Sequence, residues 1–201
     1  KLLFEAGGSL TITHWPTFLN PGVDPSDISI LELSNNFRYN ASATYASKRA
    51  TDRGAQRFSV SYVTGSHAYK FGTQIEEAVS DVVTYVQQDV NYSFRNGVPT
   101  SITQYATPYR AIDRTRADMG IYFQDQWAIR RLTLNYGARF DYFNGHVDAN
   151  HVDAPPSGWV PARDFGAVSG VPAWKDINPR FGASYDLFGN GKTALKASIG
   201  R

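Results

Sequence analysis

The sequence predicts an all-β protein, an antiparallel transmembrane β-barrel present in part, with about seven full strands plus extracellular hairpins. Three observations predict it. Apolar and polar residues alternate over runs close to the roughly 9–11 residues that a tilted strand needs to cross a bilayer. Connections between the clearest runs go short, long, short. Aromatic residues make up 14% of the chain, and several stand toward the ends of the alternating runs, where interface girdles lie.

The clearest strand is LTLNYGARFDYF. Leu132, Leu134, Tyr136, Ala138, Phe140 and Tyr142 share one parity, and Thr133, Asn135, Gly137, Arg139 and Asp141 share the other. Successive strand side chains point to opposite faces, so one face is apolar and the other polar and charged. MGIYFQDQW precedes it across Ile129-Arg130-Arg131. INPRFGASYDLF follows, then Gly189-Asn190-Gly191-Lys192, then TALKASIGR. A half-buried sheet of a soluble protein also alternates. The terminal aromatics (Trp127, Tyr142, Tyr185) and the mid-strand charges and glycines favour the membrane.

Upstream, residues 2–12 alternate and predict a first strand. Residues 13–34 carry the turn signals Pro16, Asn20-Pro21-Gly22 and Asp24-Pro25-Ser26. Ile28, Ile30 and Leu33 predict a short strand or a packed loop segment. Residues 37–46 read as a full strand or one arm of a loop hairpin, and 47–56 as a polar, flexible stretch. Phe58–Thr64 and Tyr69–Ile75 form a hairpin around Gly65-Ser66-His67. Residues 85–95 and 101–109 form another around Asn96-Gly97, a strong hairpin signal. Parity admits this second pair either as an extracellular extension or as two more spanning strands; the extension is preferred. The stretch 144–176 is the longest irregular loop.

Composition narrows the function classes. The chain has 201 residues, no Cys and a net charge of +2 from 20 basic and 18 acidic side chains. No disulfide framework or thiolate site is available. The charges are scattered singly, so no nucleic acid is expected as a partner. No apolar run approaches the ~20 residues of a transmembrane helix, which a barrel does not need. No hydrolase, metalloprotease or phosphate-loop motif occurs, so an enzyme is not expected and no cofactor is implied. Glu76 and Glu77 are adjacent on a strand and face opposite ways, which rules out joint action on one bond. His146, Asp148, His151 and Asp153 fall close together in the long loop. Imidazole and carboxylate suit several metals, but such loops are more often simply solvated, and no metal site is assigned. Asp125 breaks the pattern, sharing parity with Ile121, Phe123 and Trp127. An interfacial position is preferred, and a bulge that re-aims it is the alternative.

The ordered set YFQDQW, a basic turn, LTLNYGARFDYF, a long loop and INPRFGASYDLFGNGKTALKASIGR resembles the barrel of a TonB-dependent outer-membrane receptor, most similar to the Oar-like group. GSHAYKFGTQ at 65–74 resembles the matching upstream hairpin. The likeness is strongest at 58–75 and 119–201. It implies a barrel of about 22 strands around an N-terminal plug, in the outer membrane of a Gram-negative-type bacterium. Residues 1–201 are then one partial barrel domain, with plug and N-terminal domains outside it, and both ends read as cut. The implied partners are outer-membrane lipid, the TonB complex through the plug region, and a scarce small-molecule or saccharide ligand such as a metal chelate. Family topology makes 65–67, 129–131 and 188–192 periplasmic, and 13–55, 80–116 and 144–176 extracellular. Candidate ligand contacts are Trp159, Trp174, Tyr105 and Tyr109 in outer loops, and Arg139 and Arg180 on the polar parity. The rival functions are an adhesion or export barrel of the Oar type and a soluble carbohydrate-binding β-protein.

Overall fold

Thirteen strands make up the computed structural model, which describes Lys1–Arg201 throughout. They are β1 (Leu2–His14), β2 (Ser29–Glu32), β3 (Phe37–Tyr39), β4 (Tyr45–Thr64), β5 (His67–Tyr85), β6 (Val90–Arg95), β7 (Val98–Gln104), β8 (Tyr109–Ile129), β9 (Leu132–Val147), β10 (Asn150–Val152), β11 (Arg163–Phe165), β12 (Val168–Asp186) and β13 (Ala194–Gly200). Seven form one sheet in the order β1-β4-β5-β8-β9-β12-β13. Every pair in it is antiparallel. With the short strands set aside, chain neighbours are sheet neighbours, the up-and-down order of a barrel wall. The sheet is open, with β1 and β13 at its edges.

Register turns the one-strand parities into continuous rows. Phe4 lies opposite Val60, Val60 opposite Phe71, Phe71 opposite Phe123, and Phe123 opposite Ala138. Two residues toward the short turns, Leu2, Tyr62, Tyr69, Asp125, Tyr136, Phe181 and Ile199 form the next row. Burial is inverted relative to a water-soluble sheet. Phe4 is 62% exposed and Phe181 48%, while the buried apolar residues are only Ala41, Ala46, Ala50, Val86, Val90 and Val152. An apolar band this wide and this uncovered needs a nonaqueous solvent.

Several strands run well past the band, which corrects two sequence readings. Residues 47–56 are not flexible; they lie inside β4, hydrogen-bonded to β5 along their length and to β1 from Ala50 on. Their charges have cross-strand partners: Lys48 with Asp81 and Arg53 with Glu76. Residues 80–116, expected to hold an extracellular hairpin, also extend the flanking strands, since β5 continues to Tyr85 and β8 starts at Tyr109. Residues 144–176 are not wholly irregular: β9 reaches Val147, β12 begins at Val168, and β10 pairs with β11 between them. At 47–56 and 144–176 polarity on both faces resembled a loop, whereas it marks strand standing in water. β8, with 21 residues, is about 70 Å long at ~3.3 Å per residue. A tilted strand of that length overshoots an apolar band of roughly 25 Å.

The 37–46 stretch divides. β3 ends at Tyr39, Asn40 takes a left-handed φ of 70°, and β4 starts at Tyr45. The 85–109 hairpin does not join the large sheet. β6 and β7 combine with β2 and β3 in a separate four-stranded sheet, ordered β3-β2-β6-β7, in which β2 and β6 run parallel. Two long connections, β1 to β4 and β5 to β8, thus fold together into one cap. Asn96 (φ 51°) and Gly97 (φ 76°) make its tight turn, the two-residue geometry that Asn-Gly favours.

Candidate functional site

The polar parity of the large sheet lines a trough of ≈ 1300 Å³, whose walls include Lys70, Gln74, Tyr122, Asn135, Arg139 and Arg180. Glycines shape it. Tyr122 lies over Gly72 and Arg139 over Gly120, each close enough that an added Cβ would collide with the covering side chain. Both large groups therefore lie flat across the preceding strand instead of standing into the trough. Arg139 Nε donates to Asp141 Oδ1 at 2.6 Å, and Asn178 Nδ2 donates to Asp141 Oδ2 at 2.9 Å. Lys70 Nζ donates to Glu5 Oε2 at 2.9 Å, and Ser59 Oγ to the same oxygen at 3.1 Å. Arg180 makes no side-chain hydrogen bond or ion pair within the chain, so the trough offers one unpaired cation. It holds groups that bind and orient, with no nucleophile activated by a neighbouring base.

The six sequence candidates separate into two groups. Arg139, Arg180 and Trp174 share the polar face of β9 and β12. Trp174 stands in a strand, not a loop, and stacks on Phe143 with ring centroids 4.8 Å apart. Tyr105, Tyr109 and Trp159 lie at the long-connection end. Tyr105 sits between β7 and β8, where its hydroxyl accepts from Asn91 Nδ2 at 3.3 Å. Tyr109 opens β8 opposite Thr84. Trp159 is 47% exposed in the β10–β11 connection. Phe143, Tyr122 and Asn178 were not singled out from sequence, although their parity matches Arg139 and offered the signal.

The four residues weighed for metal binding form two unlike clusters. His146 Nε2 is 3.2 Å from Asp148 Oδ1, and its Nδ1 is 2.9 Å from Ser169 Oγ. His151 lies between Asp164 (Nδ1, 2.6 Å) and Asp153 (Nε2, 3.2 Å). The hydrogen bond to Asp164, then its charge, holds the His151 imidazole above its ordinary pKa. That favours the protonated ring, which cannot ligate. No group of three or more His, Cys, Asp or Glu is gathered for a metal ion.

Asp125 is resolved as an apolar-face residue. Register is regular from His67–Trp127 up to Glu76–Asp118, and the nearest bulge lies at 115–117, so nothing re-aims it. Its side chain is inaccessible. Oδ2 accepts from Tyr136 Oη at 2.6 Å and pairs with His67 Nδ1 at 2.7 Å. His67 is stacked between Tyr69 and Trp127, at 5.2 and 5.1 Å. The carboxylate thus sits near the short turns, roofed by aromatic rings, with Oδ2 hydrogen-bonded and Oδ1 buried without a partner, so only part of the cost of placing it at the lipid boundary is offset.

In the cap, one carboxylate ties the hairpin tip to β2. Glu32 Oε1 accepts from the backbone N–H of Asn96 (2.8 Å) and Ser34 (3.0 Å) and from the Ser34 hydroxyl (2.5 Å); Oε2 accepts from Gly97 N–H at 2.9 Å. The Ser34 hydroxyl first, then the Gly97 N–H, hold its pKa down to about 2. Below the cap, Asp81 takes Arg110 through two nitrogens (2.8 and 2.6 Å) as well as Lys48, and the Arg110 bonds first of all keep it well under the carboxylate range.

A family model described as an outer membrane beta barrel domain matches residues 7–201. No curated protein matches the chain.

Proposed function

We propose, because the chain belongs to the outer membrane β-barrel domain family, that it forms part of the wall of a TonB-dependent transporter. The transporter takes up a scarce ligand, a metal chelate or a saccharide, by binding and gated passage without covalent chemistry. The carrying observation is the pairing of an uncovered apolar face with a glycine-seated polar trough in which Arg180 has no ion-pair partner. The resemblance to the Oar-like group supplies TonB as the energy source. The rival Oar-type reading, surface adhesion, has the cap behind it: β7 is exposed along its whole length and carries no charge.

Growth on a panel of ferric chelates and oligosaccharides as sole iron or carbon source separates the two. Deleting the gene for the full-length protein and disabling TonB are expected to abolish growth on the same source. If the deletion leaves the whole panel intact and removes surface attachment, the transport reading fails and adhesion replaces it.

A further inference from the structure

The apolar face of the sheet ends, toward the long connections, at the row holding Ile75, Met119, Tyr142 and Lys175. From that row onward the same face carries cations on β12, at Lys175, and on β8, at Arg114 and Arg116. Lys175 Nζ stands 5.8 Å from the centroid of the Tyr142 ring, with no carboxylate partner. Arg114 lies opposite Val79 and His146, both on the outward parity. Arg116 occupies the adjacent bulge and places Nη2 3.2 Å from His146 Nε2. Arg114 gives Nε to Asp148 (2.8 and 3.1 Å), which leaves both terminal nitrogens of its fork unused. Of the other carboxylates of these strands, Asp113, Asp118, Asp141 and Asp176 belong to the opposite parity by register, and Asp125 lies on the outward face but at its short-turn end. Glu77 of β5 faces the bulge but forms no ion pair with Arg116.

We propose that Arg114, Arg116 and Lys175 form a docking surface for the phosphate groups of the outer leaflet's phosphorylated glycolipid. Two features identify this occupant. The patch is continuous with the lipid-contacting band, so a molecule whose acyl chains cover Ile121 and Phe140 brings its headgroup to this height. Its charge complements phosphate, and guanidinium forks match phosphate oxygens in pairs. Asp148 and His146 act as orienters, holding the two guanidinium groups in place before the lipid arrives. The leaflet assignment rests on the long connections facing outward, whereas phosphate recognition itself does not depend on orientation.

The test uses full-length protein in detergent, with diphosphoryl lipid A as probe and its dephosphorylated form as control. Diphosphoryl lipid A is expected to raise the thermal midpoint, and the control to raise it little. Changing Arg114, Arg116 and Lys175 to Gln is expected to weaken binding by about tenfold per cation removed. Retained heat-modifiability checks that the variant is folded, and Arg57→Gln, on the polar face, should bind as the parent does. An equal midpoint shift from the dephosphorylated lipid on the unaltered protein would overturn the proposal, with no variant needed. Unchanged affinity in the folded triple variant would also overturn it. Failure of the uptake experiment leaves this result untouched, and cysteine labelling of residue 159 on whole cells tests orientation separately.

Discussion

Glu32 shows how one side chain can organise a loop whose buried apolar residues are few, chiefly Ala41, Val86 and Val90. Its two oxygens take up the N–H groups of Asn96 and Gly97, two donors that a tight turn otherwise leaves to water. Glu32→Gln replaces one acceptor with a donor facing an N–H. The expected result is faster limited trypsin cleavage after Arg95 in a barrel that still shows heat-modifiability. The sign of the pH effect follows from the lowered pKa. A carboxyl held at about 2, against the ordinary 4.5, contributes stability that is complete above 4.5 and is lost as pH falls through about 2. The Gly97 amide resonance should therefore titrate with a midpoint near the lower value. A midpoint near 4.5 would mean that the carboxylate does not hold the turn in solution.

At the scale of the strand, the decisive variable is which face a residue occupies. Leu134 and Phe181 lie in adjacent rows of the apolar band, near its short-turn end. Arg at either position costs up to about 2–4 kcal/mol at the bilayer midplane and less toward the interface. Leu134→Arg and Phe181→Arg are expected to reduce the heat-modifiable, assembled fraction of the full-length protein, and normal assembly of both would refute the facing. Loop boundaries obey the same logic. Val147 is paired with Val168, so the ends of the intervening connection already meet. Deleting residues 149–166 with a short linker is expected to spare assembly, as read by heat-modifiability. A cut extended through 173 would remove a pairing segment of β12, and the β9–β12 ladder would lose its upper rungs.

The whole molecule reverses the usual distribution of apolar and polar groups, and its stability has to be accounted for accordingly. A water-soluble domain hides its apolar side chains in a core, and this chain has almost none to hide there. Its cohesion comes from 122 backbone hydrogen bonds, most of them in the ladders. In lipid an unpaired N–H or C=O costs several kcal/mol, so the ladder is obligatory. Polar side chains supplement it on the trough face, where Arg139 spans β9 and β8 and Lys70 ties β5 to Glu5 of β1. The outward face is apolar enough to meet acyl chains, with Asp125 enclosed beside His67.

Side-chain alternation has a period of two residues and is local, so the fold class, the lipid-facing parities and the short turns were legible in the sequence. The two-residue turn at Arg130-Arg131 even sets Asp125 opposite Tyr136, because a hairpin's register follows from its loop length. Other features depend on pairing across long connections, which leaves no local mark. The β5–β8 register that brings His67 to Asp125 crosses 23 residues, from Val86 to Pro108. The merging of two connections into the β3-β2-β6-β7 cap depends on a parallel contact between segments some sixty residues apart. Strand ends were misplaced for a related reason. Beyond the membrane both faces of a strand meet water, alternation disappears, and only the neighbouring backbone shows that the strand continues.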